Sequence, residues 1–333
     1  MEIFFTFDYE LFFGARSGSA EKCLLEPTEE LQEISERTGA RYTYFIDVGY
    51  LIKLHEQKQK YPSLEKDFSE VSRQLDALVK AGHDLQLHIH PHWQDSYFDG
   101  TQWVINTSHY KLADFSDSDA KNIFETYYSA LKNHCPSPIA FRAGGWCIQP
   151  FHKFKPSFKK FGIIYDSSVY KGGSRQSEQY SFDFSNAPSK TSWRFENDPL
   201  IENQDGAFVE LAMNAQLLSP IFFWKLFLLG RLNPAQHKYV GDGTSLGVKG
   251  YRKNILTKPT LHCTSVDGYF AAEVKSAFRK TEQGNSGNEF VVLGHPKAMT
   301  KYSLRKLEEI IFSIQKNNSI TTFLQYHSGK SRQ

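Results

Sequence analysis

The chain has 333 residues, 40% hydrophobic and 23% charged, a balance ordinary for a globular protein with a sizeable core. Its net charge of +2, with acids and bases interspersed, leaves no electrostatic footprint for nucleic acid. Four cysteines (Cys23, Cys135, Cys147 and Cys263) lie scattered without CxxC spacing, so they read as reduced thiols rather than a disulfide frame or a zinc knuckle.

The chain opens with MEIFFTFDYE, which has no basic region and meets acids early. It reads as a strand and not a signal peptide, and the expected location is the cytoplasm. Strand-like segments then alternate with helix-like ones. EIFFTFD (2–8) is followed by Pro27 and TEELQEISERTG, with an N-terminal proline, early acids and a terminal glycine. RYTYFID (41–47), DLQLHIH (84–90), IAFRA (139–143), GIIYD (162–166), AFVELAM (207–213) and EFVVLGH (289–295) continue the series, with SITTFLQY (319–326) as an eighth. Helices are expected around 66–80, 117–133, 150–161, 268–282 and 302–317. The rhythm predicts an α/β chain folded as a distorted (β/α) barrel of seven or eight units, a single domain over 1–333.

Residues 170–265 break the rhythm and read as an irregular insertion with long excursions at the barrel rim, where substrate sites are commonly shaped. Within them, PIFFWKLFLLGRL (220–232) is shorter than the roughly 20 residues that cross a bilayer. It reads as a buried helix or a lid, the other reading being a segment lying on a membrane surface. The high aromatic content, 27 Phe and 17 Tyr, suits a packed core and also suits sugar rings.

Ionisable groups collect where the strands run out. Four of the twelve histidines fall in HDLQLHIHPHW, residues 83–93. Alternation along a strand puts Gln86, His88 and His90 on one face, with His92 in the turn after Pro91. In FFTFDYE, Asp8 and Glu10 share a face and Tyr9 points elsewhere. Arg142, Asp166 and His295 end three further strands, and Asp47 and Glu210 end two more. A (β/α) barrel builds its active site at this end. Imidazoles with carboxylates on a rigid rim suit a divalent metal, zinc above all. One ligand set is Glu10 or Asp8 with His88 and His92. The second carboxylate then accepts a proton from water, Arg142 steadies it, and His295 protonates the leaving group. His90 is either a further ligand or substrate contact, or a partner for a loop. Trp93 and Trp146 stand beside these groups, where they either stack a sugar ring or pack the rim.

At these residues the chain resembles the polysaccharide deacetylases of the NodB-homology group, the family-four carbohydrate esterases. FTFDYE is similar to the family's TFDDG-like first motif. AGHDLQLHIHPH is similar to its G-H-E-I-x-x-H-x-x-x-H segment, through Gly82, His83, Asp84, His88 and His92. FRAGGW resembles the R-x-x-x-G motif and LGH (293–295) the late L-x-H motif. The resemblance implies hydrolysis of N-acetyl groups from sugars, with Asp8 as general base, His88 and His92 as metal ligands, Arg142 as the base's partner and His295 as general acid. Leu293 would line the acetyl pocket. Tyr9 stands where the family's usual metal-binding Asp follows the base. A D-x-[DE] variant of the motif moves that ligand to Glu10, which shares the face of Asp8. The D-x-x-D-W motif is not found, and Asp166 covers part of its role.

The expected function is therefore a metal-dependent deacetylase of an N-acetylated sugar, an intermediate of bacterial surface-polysaccharide synthesis. The other readings are a metal-independent glycosidase using Asp8 and Glu210, and a carbohydrate-binding protein without turnover.

Overall fold

A computed structural model describes residues 1–177 and 179–330. The barrel strands are β1 (Glu2–Tyr9), β2 (Thr43–Asp47), β3 (Asp84–Ile89), β4 (Ala140–Ala143), β5 (Tyr165–Asp166), β6 (Ser192–Phe195), β7 (Phe208–Leu211) and β8 (Glu289–Gly294). They run in the order β6-β7-β5-β4-β3-β2-β1-β8. Every neighbouring pair is parallel except β6–β7. The expected distorted barrel is what forms, and its central strands are near-continuous apolar runs because helices cover their outer faces.

The sheet does not close on itself by a regular ladder. Met213, just past β7, bridges Tyr170 on one side and Val291 of β8 on the other. Asn214 completes the clasp: its backbone N–H donates to Val291 O (3.1 Å), and its side-chain oxygen accepts from Val291 N–H (3.2 Å). Its amide nitrogen donates to Thr281 Oγ1 at 2.9 Å.

Local chemistry explains most boundaries. The helix Glu26–Thr38 starts at Pro27 and stops at Gly39, whose φ of 75° is left-handed and whose N–H returns to Ser35 O. Further helices span Ser63–Lys80, Asp117–Leu131, Lys155–Phe161, Val274–Gln283 and Lys301–Ile314, near the expected positions. The helix Val48–Gln57 is not among the expected elements. It turns immediately at Gly49, where a Cβ would lie 2.5 Å from the indole of Trp93.

Two expectations need correction. SITTFLQY is not a strand: only Ser319–Ile320 pairs, with β1, and Phe323–Lys330 is helical. The Thr322 hydroxyl accepts from Gln325 N–H and draws the chain into that helix. Nor is 170–265 wholly an excursion. It supplies β6, which sequence pattern did not reveal, and the Met213 clasp.

The phenylalanines mostly fill the core, with Phe4, Phe5, Phe7, Phe124, Phe141 and Phe158 all buried. All four cysteines are buried free thiols. Replacing Asn214 by Ala strips Val291 N–H of its partner, so denaturant unfolding should show a loss of about 1–3 kcal/mol. An unchanged midpoint would mean that the clasp contributes nothing.

Candidate active site

Parallel register brings the polar strand ends to one rim. His88 pairs with Asp47 of β2 and Arg142 of β4, and β1 delivers Asp8 and, one residue past its end, Glu10. The tyrosine between them turns away, its hydroxyl donating to Gln74 Oε1 at 2.9 Å.

Arg142 is fully buried, and each of its three guanidinium nitrogens is engaged. Its Nη1 donates to Asp8 Oδ1 at 2.5 Å, Nη2 to Thr6 Oγ1 and Ser167 Oγ, and Nε to Ser167 O. The other carboxylate oxygen, Asp8 Oδ2, stands 4.0 Å from His88 Nε2 and 3.7 Å from His295 Nε2.

Ligand atoms of Glu10, His88 and His90 lie within 4.8 Å of one another. His88 Nδ1 is 2.8 Å from the Arg142 carbonyl. A carbonyl only accepts, so Nδ1 carries the proton and the lone pair of Nε2 faces Glu10 Oε2 at 3.2 Å. Two acceptors so placed require a cation between them, either a proton or a metal ion. Burial opposes charge on His88, but Asp8 and Glu10 outweigh it and hold its pKa above the ordinary value. His90 Nε2 comes within 2.6 Å of the same Glu10 oxygen, yet neither ring nitrogen has a hydrogen bond of acceptable geometry. Burial pushes the pKa of His90 down to about 4, leaving it neutral with a lone pair to give. Gly144 permits this packing, because a Cβ there would sit 2.6 Å from His90 Nδ1.

Burial would raise the pKa of Glu10, but Lys297, His90 and His88 hold it well below the usual range. Lys297 Nζ donates to Glu10 Oε1 at 2.7 Å and to Leu11 O. Only Oε2 is therefore left for a cation. One carboxylate oxygen and two imidazole nitrogens, one oriented by a backbone carbonyl, form a donor set that fits a divalent metal ion.

His295, just past β8, is gripped by Asp267, which accepts from its backbone N–H and faces its Nδ1, both at 2.7 Å. Burial lowers its pKa, but Asp267 and then Asp8 and Glu10 raise it above the ordinary value. Asp8, Glu10, His88, His90 and His295 line one cavity of about 350 Å³, walled by Trp146, Tyr110, Tyr180 and Tyr251 among others.

Several sequence candidates lie elsewhere. His92 is outside the ligand group, stacked at 6° on the ring of Tyr110, with neither nitrogen bonded. The 3-10 turn Pro91–Gln94 carries it past the rim, so the two histidines brought together beside Glu10 are His88 and His90. Trp93 is buried, its indole donating to Asp47 Oδ2 at 2.6 Å, and it does not line the cavity. Leu293 lies buried in β8. Asp166 is buried too, its Oδ1 taking a bond from Ser168. Its carboxyl faces that of Glu210 across paired strands, and the outer oxygens Asp166 Oδ2 and Glu210 Oε2 have no other partner. A proton held between the two acids would partner both oxygens. Burial raises Asp166 to about 6 and Glu210 well above its ordinary value. Asp267 and Lys297 were not foreseen, since neither ends an apolar run. The placement of His90 beside His88 was legible from strand alternation.

No protein-family model matches the chain, and no curated protein matches it. Among solved structures, a protein assigned as a polysaccharide deacetylase from Mycobacterium smegmatis superposes with a TM-score of 0.52 at 16% identity, over 98% of this chain and 89% of that one. A 4-alpha-glucanotransferase from Thermococcus litoralis gives 0.49 at 14%, over 98% and 38%. The catalytic domain of a peptidoglycan N-acetylglucosamine deacetylase from Eubacterium rectale gives 0.40 at 13%, over 96% and 88%. At this identity the first likeness shows a shared fold.

Because the folded acid pair binds a proton more tightly than the unfolded chain, its stabilisation is full at low pH and fades as pH rises through the raised pKa values. Glu210→Gln should therefore flatten the decline of stability as pH rises above the ordinary carboxylate range and through about 6, read by denaturant unfolding. A decline as steep as in the parent would refute the shared proton.

Proposed function

We propose that the chain is a metal-dependent hydrolase that removes the N-acetyl group from a sugar. The observation that carries this is the Glu10–His88–His90 cluster, which opens on the same cavity as an Arg-held carboxylate and an Asp-held imidazole. A divalent cation held by these three residues, zinc by its preference for imidazole, would supply Lewis-acid polarisation and water activation.

The chain's own groups divide the remaining work. Arg142 holds one oxygen of Asp8, so the other is presented to the cavity as a proton acceptor. His295, kept protonated toward higher pH by Asp267, faces the same space and is placed to protonate the departing amine. Trp146 and the tyrosines offer apolar faces to a sugar ring. The cavity holds room for a sugar residue, and the substrate we propose is an intermediate of surface-polysaccharide synthesis. Nothing favours the glycosidase reading, since Glu210 is committed to Asp166 and does not line the cavity.

Purified protein offered a panel of N-acetylated sugars should release acetate, stop when chelated, and recover with zinc. Glu10→Ala and His88→Ala should lose both metal, by elemental analysis, and nearly all activity. Full activity in either variant would refute the assignment. Asp267→Asn removes the group that raises the pKa of His295, so its imidazolium is lost at lower pH. The alkaline limb of kcat should move toward acid and the maximum should fall about ten-fold or more. An unmoved limb would remove His295 as the acid.

A further inference from the structure

The helix Pro220–Leu232 is apolar on both sides. Inward, Phe222 and Phe223 join Leu218 and Ile255 in a small core of their own, separate from that of the barrel. Outward, Ile221, Trp224, Leu228 and Leu232 are 66%, 53%, 51% and 80% exposed. Their spacing of three, four and four residues aligns them as one stripe. Leu217, in the strand just before, is 65% exposed as well. Monomeric proteins seldom leave so many large apolar side chains together in water.

The charges around the stripe are one-sided. Between Glu210 and Asp267 the chain holds seven lysines and arginines against a single acid, Asp242, in a molecule whose net charge is only +2. Lys225 and Arg231 rise from the helix itself, and Arg252 and Lys253 from the adjoining helix Tyr251–Thr257. All four are exposed, and none forms an ion pair among the described residues.

We infer that this helix is an interfacial anchor, laying its Ile221–Leu232 stripe into a bilayer surface while the surrounding bases meet anionic headgroups. Thirteen residues make a helix of about 20 Å, too short for a hydrocarbon core of about 30 Å, so it lies in the plane of the surface. No helix among the described residues is long and apolar enough to cross a membrane. A second copy is the poorer occupant. A two-fold contact along this stripe would bring two helices together that each carry Lys225 and Arg231 and no acid. The anchor also adjoins the cavity: Tyr251 packs on the helix's inner core and lines the cavity wall. A sugar carried on a lipid would meet the site there. This inference stands apart from the catalytic reading, because vesicle binding is scored without turnover.

The test uses the full chain with vesicles of phosphatidylcholine alone or of phosphatidylcholine mixed with phosphatidylglycerol. The protein should sediment with the anionic vesicles far more than with the neutral ones, and added salt should weaken it. Trp224 emission should shift to the blue on binding. The double variant Trp224→Ser, Leu228→Ser should bind about tenfold more weakly or worse, with its thermal melt unchanged. Lys225→Gln with Arg231→Gln should weaken binding and blunt its salt dependence, an arm that holds should the apolar variant fail to fold. Absence of binding to anionic vesicles overturns the inference. So does a dimer in equilibrium sedimentation that the apolar variant dissolves.

Discussion

A guanidinium sealed from water sits inside the barrel, and the site is organised by it. Burying a charge costs several kcal/mol unless every donor is answered. Here Arg142 is answered by Asp8, Thr6 and Ser167, with the ring of Phe45 4.1 Å beneath it. The same residue reaches the imidazole by its backbone, since its carbonyl faces His88 Nδ1. One residue thus orients the proposed base by its side chain and fixes the tautomer of a proposed ligand by its main chain. Satisfied networks of this kind are rigid, and loss of one member strands the others.

Around it the charges interlock. Glu10 is divided between an ammonium on one oxygen and two imidazoles near the other. Lys297 is buried against the rings of Phe12 and Phe13 and tied to Leu11 O, so its position leaves a single carboxylate oxygen toward the cavity. His295 is set by Asp267 alone at Nδ1. Three acids (Asp8, Glu10 and Asp267) and five basic side chains (Arg142, His88, His90, His295 and Lys297) hold one another in place around the ends of β1, β3, β4 and β8.

Much of this was legible in the sequence because strands obey a period of two. Asp8 and Glu10 on one face, His88 and His90 on another, and Arg142 and His295 at strand ends all follow from alternation and from the rule that barrels act at their C-terminal rim. The limits are equally physical. His92 follows a proline that turns the chain, and beyond it alternation no longer applies. Asp267 and Lys297 sit in irregular backbone, where no period exists to read. β6 is short and antiparallel at the end of the sheet, and Met213 closes the barrel through a single residue, a feature with no pattern at all. The exposed helix was visible as an apolar run, but only its packing reveals which side stays wet.

The Met213–Asn214 clasp has a consequence for where the molecule can change. Strands β8, β1, β2, β3 and β4 form an unbroken ladder, and Asp8, Glu10, His88, His90, Arg142 and His295 lie on those strands or just past their ends. The clasp lies on the opposite edge of β8, among the excursions of 170–265. Lengthening or shortening those loops alters the girth of the barrel at its seam without shifting the register of the reacting side chains. Such a chassis separates tolerance from exactitude: one flank is free to be refitted to a new guest while the other keeps its chemistry aligned.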